Sequence, residues 1–218
     1  MVIANSLYTE AHWHKAERDI TALRAEFPQA THARLLRQLV KTACIKAGAT
    51  GAGTTAVSLI PGFGKVLGWA ANLAGDAAMT SAIQRDLMLR IFALHQRTPS
   101  AADNAQMLKW MGTIGVGAIE LVEQIGGGVL KRMAKKVLGT VLRRGLPAVE
   151  ILASSATHVT GTFLLARKVA AYCRDGGDDA DDANVLDPDP RRLRQWTMLS
   201  LGTVVDETQP KTVKDAFR

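Results

Sequence analysis

The chain has 218 residues with a formal net charge of +7, few aromatics (5%) and only two cysteines. That length suits one helical body with a tail and is ample for a buried core. Strong helix formers and the lack of sustained alternating Val/Ile/Thr runs exclude a sheet protein and point to an all-α class, a single bundle of about six to seven helices.

A first helix is expected from about Tyr8 to Glu26, with Ser6 or Thr9 as cap and Pro28 as its end. The next, roughly Gln29–Val57, begins basic with Arg34, Arg37, Lys41 and Lys46 and then becomes GATGAGTTA. Such a run loses helix propensity in exchange for close backbone approach. After the Ile60–Pro61–Gly62 break comes an amphipathic helix with Val66, Trp69, Leu73, Ala77, Ile83, Leu87, Ile91 and Leu94 on one stripe. Thr98–Pro99 closes it, and Ser100-x-x-Asp103 is the start signature of a fourth helix carrying Met107, Trp110 and Met111.

A short cationic helix, VLKRMAKKVLGTVLRR, is expected after Gly126–Gly128. Its Lys131, Arg132, Lys135, Lys136, Arg143 and Arg144 suit contact with anionic lipid headgroups. Gly145 and Pro147 lead into the last core helix, with Val149, Leu152, Ala156, Val159, Phe163, Ala166 and Ala170 on a stripe that stops near Arg174. Residues 175–190 read as an acidic flexible linker. Residues 191–218 form a tail whose short helix, Arg191–Leu201, offers Trp196 and Leu199 for docking on the body or on a partner. The domain layout is therefore a body over 1–174, a linker and a tail.

Charge follows the same division. Residues 1–173 hold 20 Lys/Arg against 10 Asp/Glu, and residues 174–218 hold 7 against 10, so a +10 body carries a −3 tail. A basic body favours anionic partners, lipid or nucleic acid. Its cations are not interleaved with aromatics suited to base stacking, so nucleic acid is not expected.

Two proline-led segments, Ser58–Leu94 and Leu146–Cys173, form a weak internal repeat in which aligning Pro61 with Pro147 also aligns Gly75 with Gly161. Gly48, Gly64, Gly68, Gly75 and Gly161 are read as helix-packing positions. Between Lys46 and Lys65 lie 18 uncharged residues, close to the roughly 20 needed to span a bilayer. Glycine, alanine and threonine dominate that run and Pro61 interrupts it, so little transfer energy drives insertion. The second charge-free run, Ile151–Ala166, is shorter still.

Chemistry-bearing motifs are absent or incomplete. A P-loop fails because Leu59 stands where the first glycine must be and Val66 follows Lys65. His12-x-His14 points two imidazoles to different helix faces, and no Cys/His cluster completes a metal site. Ser154, Ser155 and His158 lack an elbow motif and an orienting acid, so their polar groups are expected to bond helix carbonyls. Asp76 and Glu150 are expected to pair with Lys65, Arg85 or Arg167. Cys44 and Cys173 are read as buried thiols of a reducing compartment, and the N-terminus lacks the pattern of a cleaved secretion signal. No catalytic residue, cofactor or metal is expected.

Three segments carry a family resemblance: AGATGAGTTAVSLIPG; AAMTSAIQRDLMLRIFALH leading into Ser100–Asp103; and RGLPAVEILASSATHVTGTFLLARKVAAYC. Over roughly Leu35–Cys173 the chain resembles the EcsC-type protein family and, more distantly, a small helical domain attached to some bacterial GTPase-like proteins. His95–Gln96 stands where that family usually has a tyrosine–glycine pair. The resemblance implies an all-helical, non-enzymatic protein associated with the cytoplasmic membrane, sometimes linked to transporter or secretion systems, and transfers no catalytic residue; the residues suit association with the inner face, peripherally or through the small-residue hairpins. Two other readings fit the residues: a soluble interaction or immunity-type module, and a membrane-permeabilising effector.

Overall fold

Thr9 starts the first helix, α1 (Glu10–Glu26), through a reciprocal cap: its hydroxyl accepts from the His12 backbone N–H, and the His12 Nδ1 accepts from the Thr9 N–H at 3.1 Å. The computed structural model describes residues 8–59, 73–125, 148–175 and 189–208, with side chains over 8–53, 78–113, 151–174 and 189–203. Trp13, Ala16 and Ile20 recur on one face of α1 and are buried.

α2 (His32–Leu59) starts three residues later than its sequence pattern predicts, because Pro28 and the turn after it delay re-entry into helix. Its Leu35, Leu36, Leu39, Val40, Ala43, Cys44 and Ala47 are all buried, since α2 is the axis of the molecule and packs on α3, α5 and α6.

α3 (Leu73–Leu94) ends at a paired-bond terminus: the Gln96 N–H donates to the Ala93 carbonyl and the Arg97 N–H to the Phe92 carbonyl, each at 3.0 Å. That geometry puts Gln96 at φ 56°, the left-handed region that glycine occupies without steric cost. A side chain there costs about 1–2 kcal/mol, which exceeds the extra chain entropy of glycine at about 0.5–1 kcal/mol. Gln96→Gly is therefore expected to stabilise the protein by about 0.5–1 kcal/mol, read as a rise in the urea midpoint. A fall would place the strain elsewhere.

Ser100 caps α4 (Ala101–Ile125) as its signature predicts: the Asp103 N–H donates to Ser100 Oγ at 3.2 Å, and Asp103 Oδ2 accepts from the Ser100 N–H at 2.7 Å. Met107 and Trp110 then face the core. α5 (Ala148–Asp175) buries Ile151, Leu152, Ala156, Val159, Phe163, Ala166, Val169 and Ala170, a helical stripe running the visible length of the element.

α6 (Pro190–Thr208) is longer than the Arg191–Leu201 segment expected from sequence. Asp189 caps it by accepting from the Arg191 N–H at 2.9 Å, and Pro190 takes the first helical position, where a missing N–H is harmless. It packs along α2 and α5 and buries Leu193, Trp196, Thr197, Ser200 and Leu201. Trp196 belongs to the core and lies 6.1 Å from Phe163, ring to ring. The segment read as a tail is thus a layer of the bundle over its described length.

The described residues hold six packed helices and no strand, so the fold is all-α. Contact pairs set the directions. Gly48 meets Val159, and Gly51 meets Ser154 and His158, so α2 and α5 are antiparallel. Ser155 meets Ser200 and Phe163 meets Trp196, so α6 opposes α5 and runs with α2. Gln84 meets Thr162 and Arg97 meets Tyr172, so α3 runs with α5.

Candidate functional site

Two features of the described residues are unusual for an ordinary bundle: a seam of small and hydroxyl side chains where α2, α5 and α6 meet, and a cation-rich end where α2 and α6 begin and α3 and α5 end. Lys131, Arg132, Lys135, Lys136, Arg143 and Arg144, and the glycines Gly64 and Gly68, lie outside the described residues. So do the side chains of Asp76 and Glu150; Arg85, an expected partner of these acids, stands 3.7 Å from Asp86.

The seam rests on Gly48 and Gly51. A Cβ on Gly48 would come 2.5 Å from Ser200 Oγ and 2.6 Å from Val159 Cγ2, and one on Gly51 would overlap the His158 ring. Gly161 is buried on α5, and Gly75 lies within α3. Gly53, from the same glycine run, has nothing within 4 Å of its Cβ direction. Close approach is therefore a property of two positions in that run and not of its composition.

Hydroxyls in the seam bond across helices as well as within them. Ser154 Oγ donates to the Gly51 carbonyl at 3.0 Å, and Ser155 and Ser200 share a bond of 3.0 Å between fully buried hydroxyls. The Thr157, Thr197 and Ser200 hydroxyls donate back to carbonyls of their own helices. His158 Nδ1 bonds the Ser154 carbonyl of its own helix at 3.0 Å, while Ser154 and Ser155 join α5 to α2 and α6.

At the cation-rich end a buried carboxylate organises the corner between α3, α4 and α5. Asp103 is 2% exposed and accepts from Arg97 Nη2 at 2.7 Å, from the Tyr172 hydroxyl at 2.5 Å and from the Ser100 N–H at 2.7 Å. Burial pushes its pKa up, but the hydrogen bonds from Tyr172 and Ser100 and the charge of Arg97 outweigh that and leave it below the ordinary carboxylate value. Arg97 also donates to the Tyr172 carbonyl at 3.3 Å and stacks its guanidinium 4.6 Å over the Tyr172 ring. Tyr8 closes the corner by donating to the Pro99 carbonyl at 2.9 Å.

Beside this corner His32 and His95 face each other, Nε2 to Nε2 at 3.3 Å, with ring centroids 4.4 Å apart. Burial, then His32 and Arg174, push the His95 pKa down to about 4, and burial and Arg24 lower that of His32. The folded pair thus binds fewer protons than the unfolded chain, so its contribution is intact above the ordinary histidine pKa of 6.5 and is lost as pH falls towards 4. This pair had no signal in sequence, because its members are 63 positions apart. Arg24 Nη2 donates to the Leu94 carbonyl at 3.0 Å and adds a cation to the same end.

The other sequence candidates have structural employment. His12 caps α1, and His14 lies between Glu10 and Glu17, which raise its pKa through hydrogen bonds. Cys44 is buried, Cys173 is half-buried, and burial pushes the Cys173 thiol up to about 12, so neither is a ready thiolate at neutral pH. No group of three or more potential metal ligands exists among the described residues, and no helix there is long and apolar enough to cross a membrane. Of the two residues read as docking positions, Trp196 is buried and Leu199 remains 44% exposed.

No protein-family model, curated protein or solved structure matches the chain.

Proposed function

We propose that this is a non-enzymatic helical protein that associates peripherally with the inner face of the cytoplasmic membrane, supporting a transporter or secretion system as the EcsC-type resemblance implies. The observation that carries this reading is the charge of the body. α2 holds Arg34, Arg37, Lys41 and Lys46 and no acid, and the ion pairs of the described residues lie on α1, on α3 and at the Arg97–Asp103 corner. Cations without acidic partners attract an anionic leaflet at about 1 kcal/mol each. The cationic sequence Lys131–Arg144 adds to the same attraction.

Fractionation of cells expressing the native protein tests the proposal. It is expected in the membrane pellet at low ionic strength and in the supernatant after a high-salt wash, since exposed charges are screened beyond the Debye length. Recovery in the soluble fraction at low ionic strength, bound stoichiometrically to another protein, would favour the interaction-module reading.

A further inference from the structure

We propose that the end of the bundle where α2 and α6 begin and α3 and α5 end is a lipid-facing surface, which docks against headgroup phosphates and does so more tightly as pH falls. This rests on the peripheral-membrane reading and gives it a second contact besides Lys131–Arg144.

The helix directions assemble the surface. Gly48 stands beside Ser200 and the two helices run the same way, so Arg37 and Lys41, which share the Gly48 face of α2, are level with the first two turns of α6. Those turns carry Arg191, Arg192 and Arg194. Arg34, Arg37 and Arg191 are exposed, and Lys41, Arg192 and Arg194 are half-buried. None of the six is within ion-pair distance of a carboxylate among the described residues. The sequence that joins α5 to α6 holds seven aspartates over 175–189, of which Asp189 is engaged as the helix cap.

A lipid surface fits this set better than nucleic acid. The Phe and Tyr side chains described at this end, Tyr8, Phe27, Phe92 and Tyr172, pack on the core, so none of them is offered for base stacking. The cations extend from the start of two parallel helices, as a broad planar array of phosphates requires.

The His32–His95 pair lies within this end, faced by Arg24 from α1 and Arg174 from α5, with Arg97 on the adjoining corner. Burial first, and then repulsion from Arg24 at His32 and from His32 and Arg174 at His95, disfavours a proton on either ring. An anionic surface offsets that repulsion, so binding and protonation favour each other and affinity rises as pH drops through the histidine range.

Flotation of the full chain with phosphatidylcholine vesicles, with and without phosphatidylglycerol, tests this. Binding is expected only with the anionic lipid, and R34Q/R37Q/R191Q/R194Q is expected to weaken it by roughly five-hundredfold while keeping the melting transition. Should that variant fold poorly, R191Q/R194Q alone is expected to weaken binding by roughly twentyfold. Wild-type binding is expected to tighten as pH falls from about 6 towards about 4, and the H32Q/H95Q variant to lose that dependence. If the wild type floats and the arginine variants float equally well, the surface lies elsewhere and the membrane reading survives. A wild type that stays off anionic vesicles at low salt sinks both. Preference for duplex DNA over vesicles would assign the surface to nucleic acid, and a flat pH response would remove the histidine coupling.

Discussion

Gly48→Leu is expected to destabilise the protein by about 3 kcal/mol or more, whereas Gly112→Ala is expected to stabilise it. Both glycines lie inside helices, where replacing glycine gains about 0.5–1 kcal/mol of helix propensity. At Gly48 the gain is overwhelmed. The new Cβ would stand 2.5 Å from Ser200 Oγ and 2.6 Å from Val159 Cγ2, and both neighbours are fully buried and held by their own contacts. Overpacking of a closed core costs about 1–3 kcal/mol for small insertions and more for a side chain of four carbons. At Gly112 nothing lies within 4 Å, so only the propensity gain remains. Urea unfolding of the two variants checks the pair of signs, and equal signs would mean that the seam does not depend on the missing side chain.

Loss of the Asp103 carboxylate is the second large effect. Asp103→Ala removes the acceptor of Arg97 and Tyr172 and the reciprocal cap of α4 together. Breaking a buried pair by deleting one partner costs about 3–5 kcal/mol, mainly because the remaining charge loses its counterion. Arg97 keeps its bond to the Tyr172 carbonyl and its stacking over two rings, which places the expected loss near the lower bound, about 3 kcal/mol. The same carboxylate gives an acid dependence. Its folded pKa lies below its ordinary 3.8, so its contribution is complete above that value and disappears as pH falls through the folded pKa. Wild-type stability is therefore expected to fall on acidification below about pH 4, with a shallower fall in Asp103→Ala; parallel pH profiles would contradict the assignment.

The all-α class, the helix start at Ser100, Thr9 as one of two candidate caps for α1, and the core stripes of α3, α4 and α5 were legible in the chain. Each rests on a local signal: a cap three residues from its partner, or apolar residues at helical spacing. α6 was harder to read. Leu193, Trp196 and Ser200 form its inner face, but polar residues and an acidic approach made the segment look detachable, and its burial comes from facing helices far away in sequence. The glycine run shows the same limit: composition suggested close approach, yet Gly48 and Gly51 make it and Gly53 does not, because only the facing helices decide which face is crowded. Gln96 is a further case. Its positive φ is a backbone fact that glutamine does not announce. The cation-rich end became visible only once helix directions were known, since its members come from α1, α2, α3, α5 and α6.

The most direct test of the membrane assignment is flotation of the wild-type protein with neutral and anionic vesicles at low and at high salt. Co-flotation with the anionic vesicles is expected at low salt, with release when salt shortens the Debye length to about 3 Å. A protein that remains at the bottom of the gradient with anionic vesicles at low salt would contradict it.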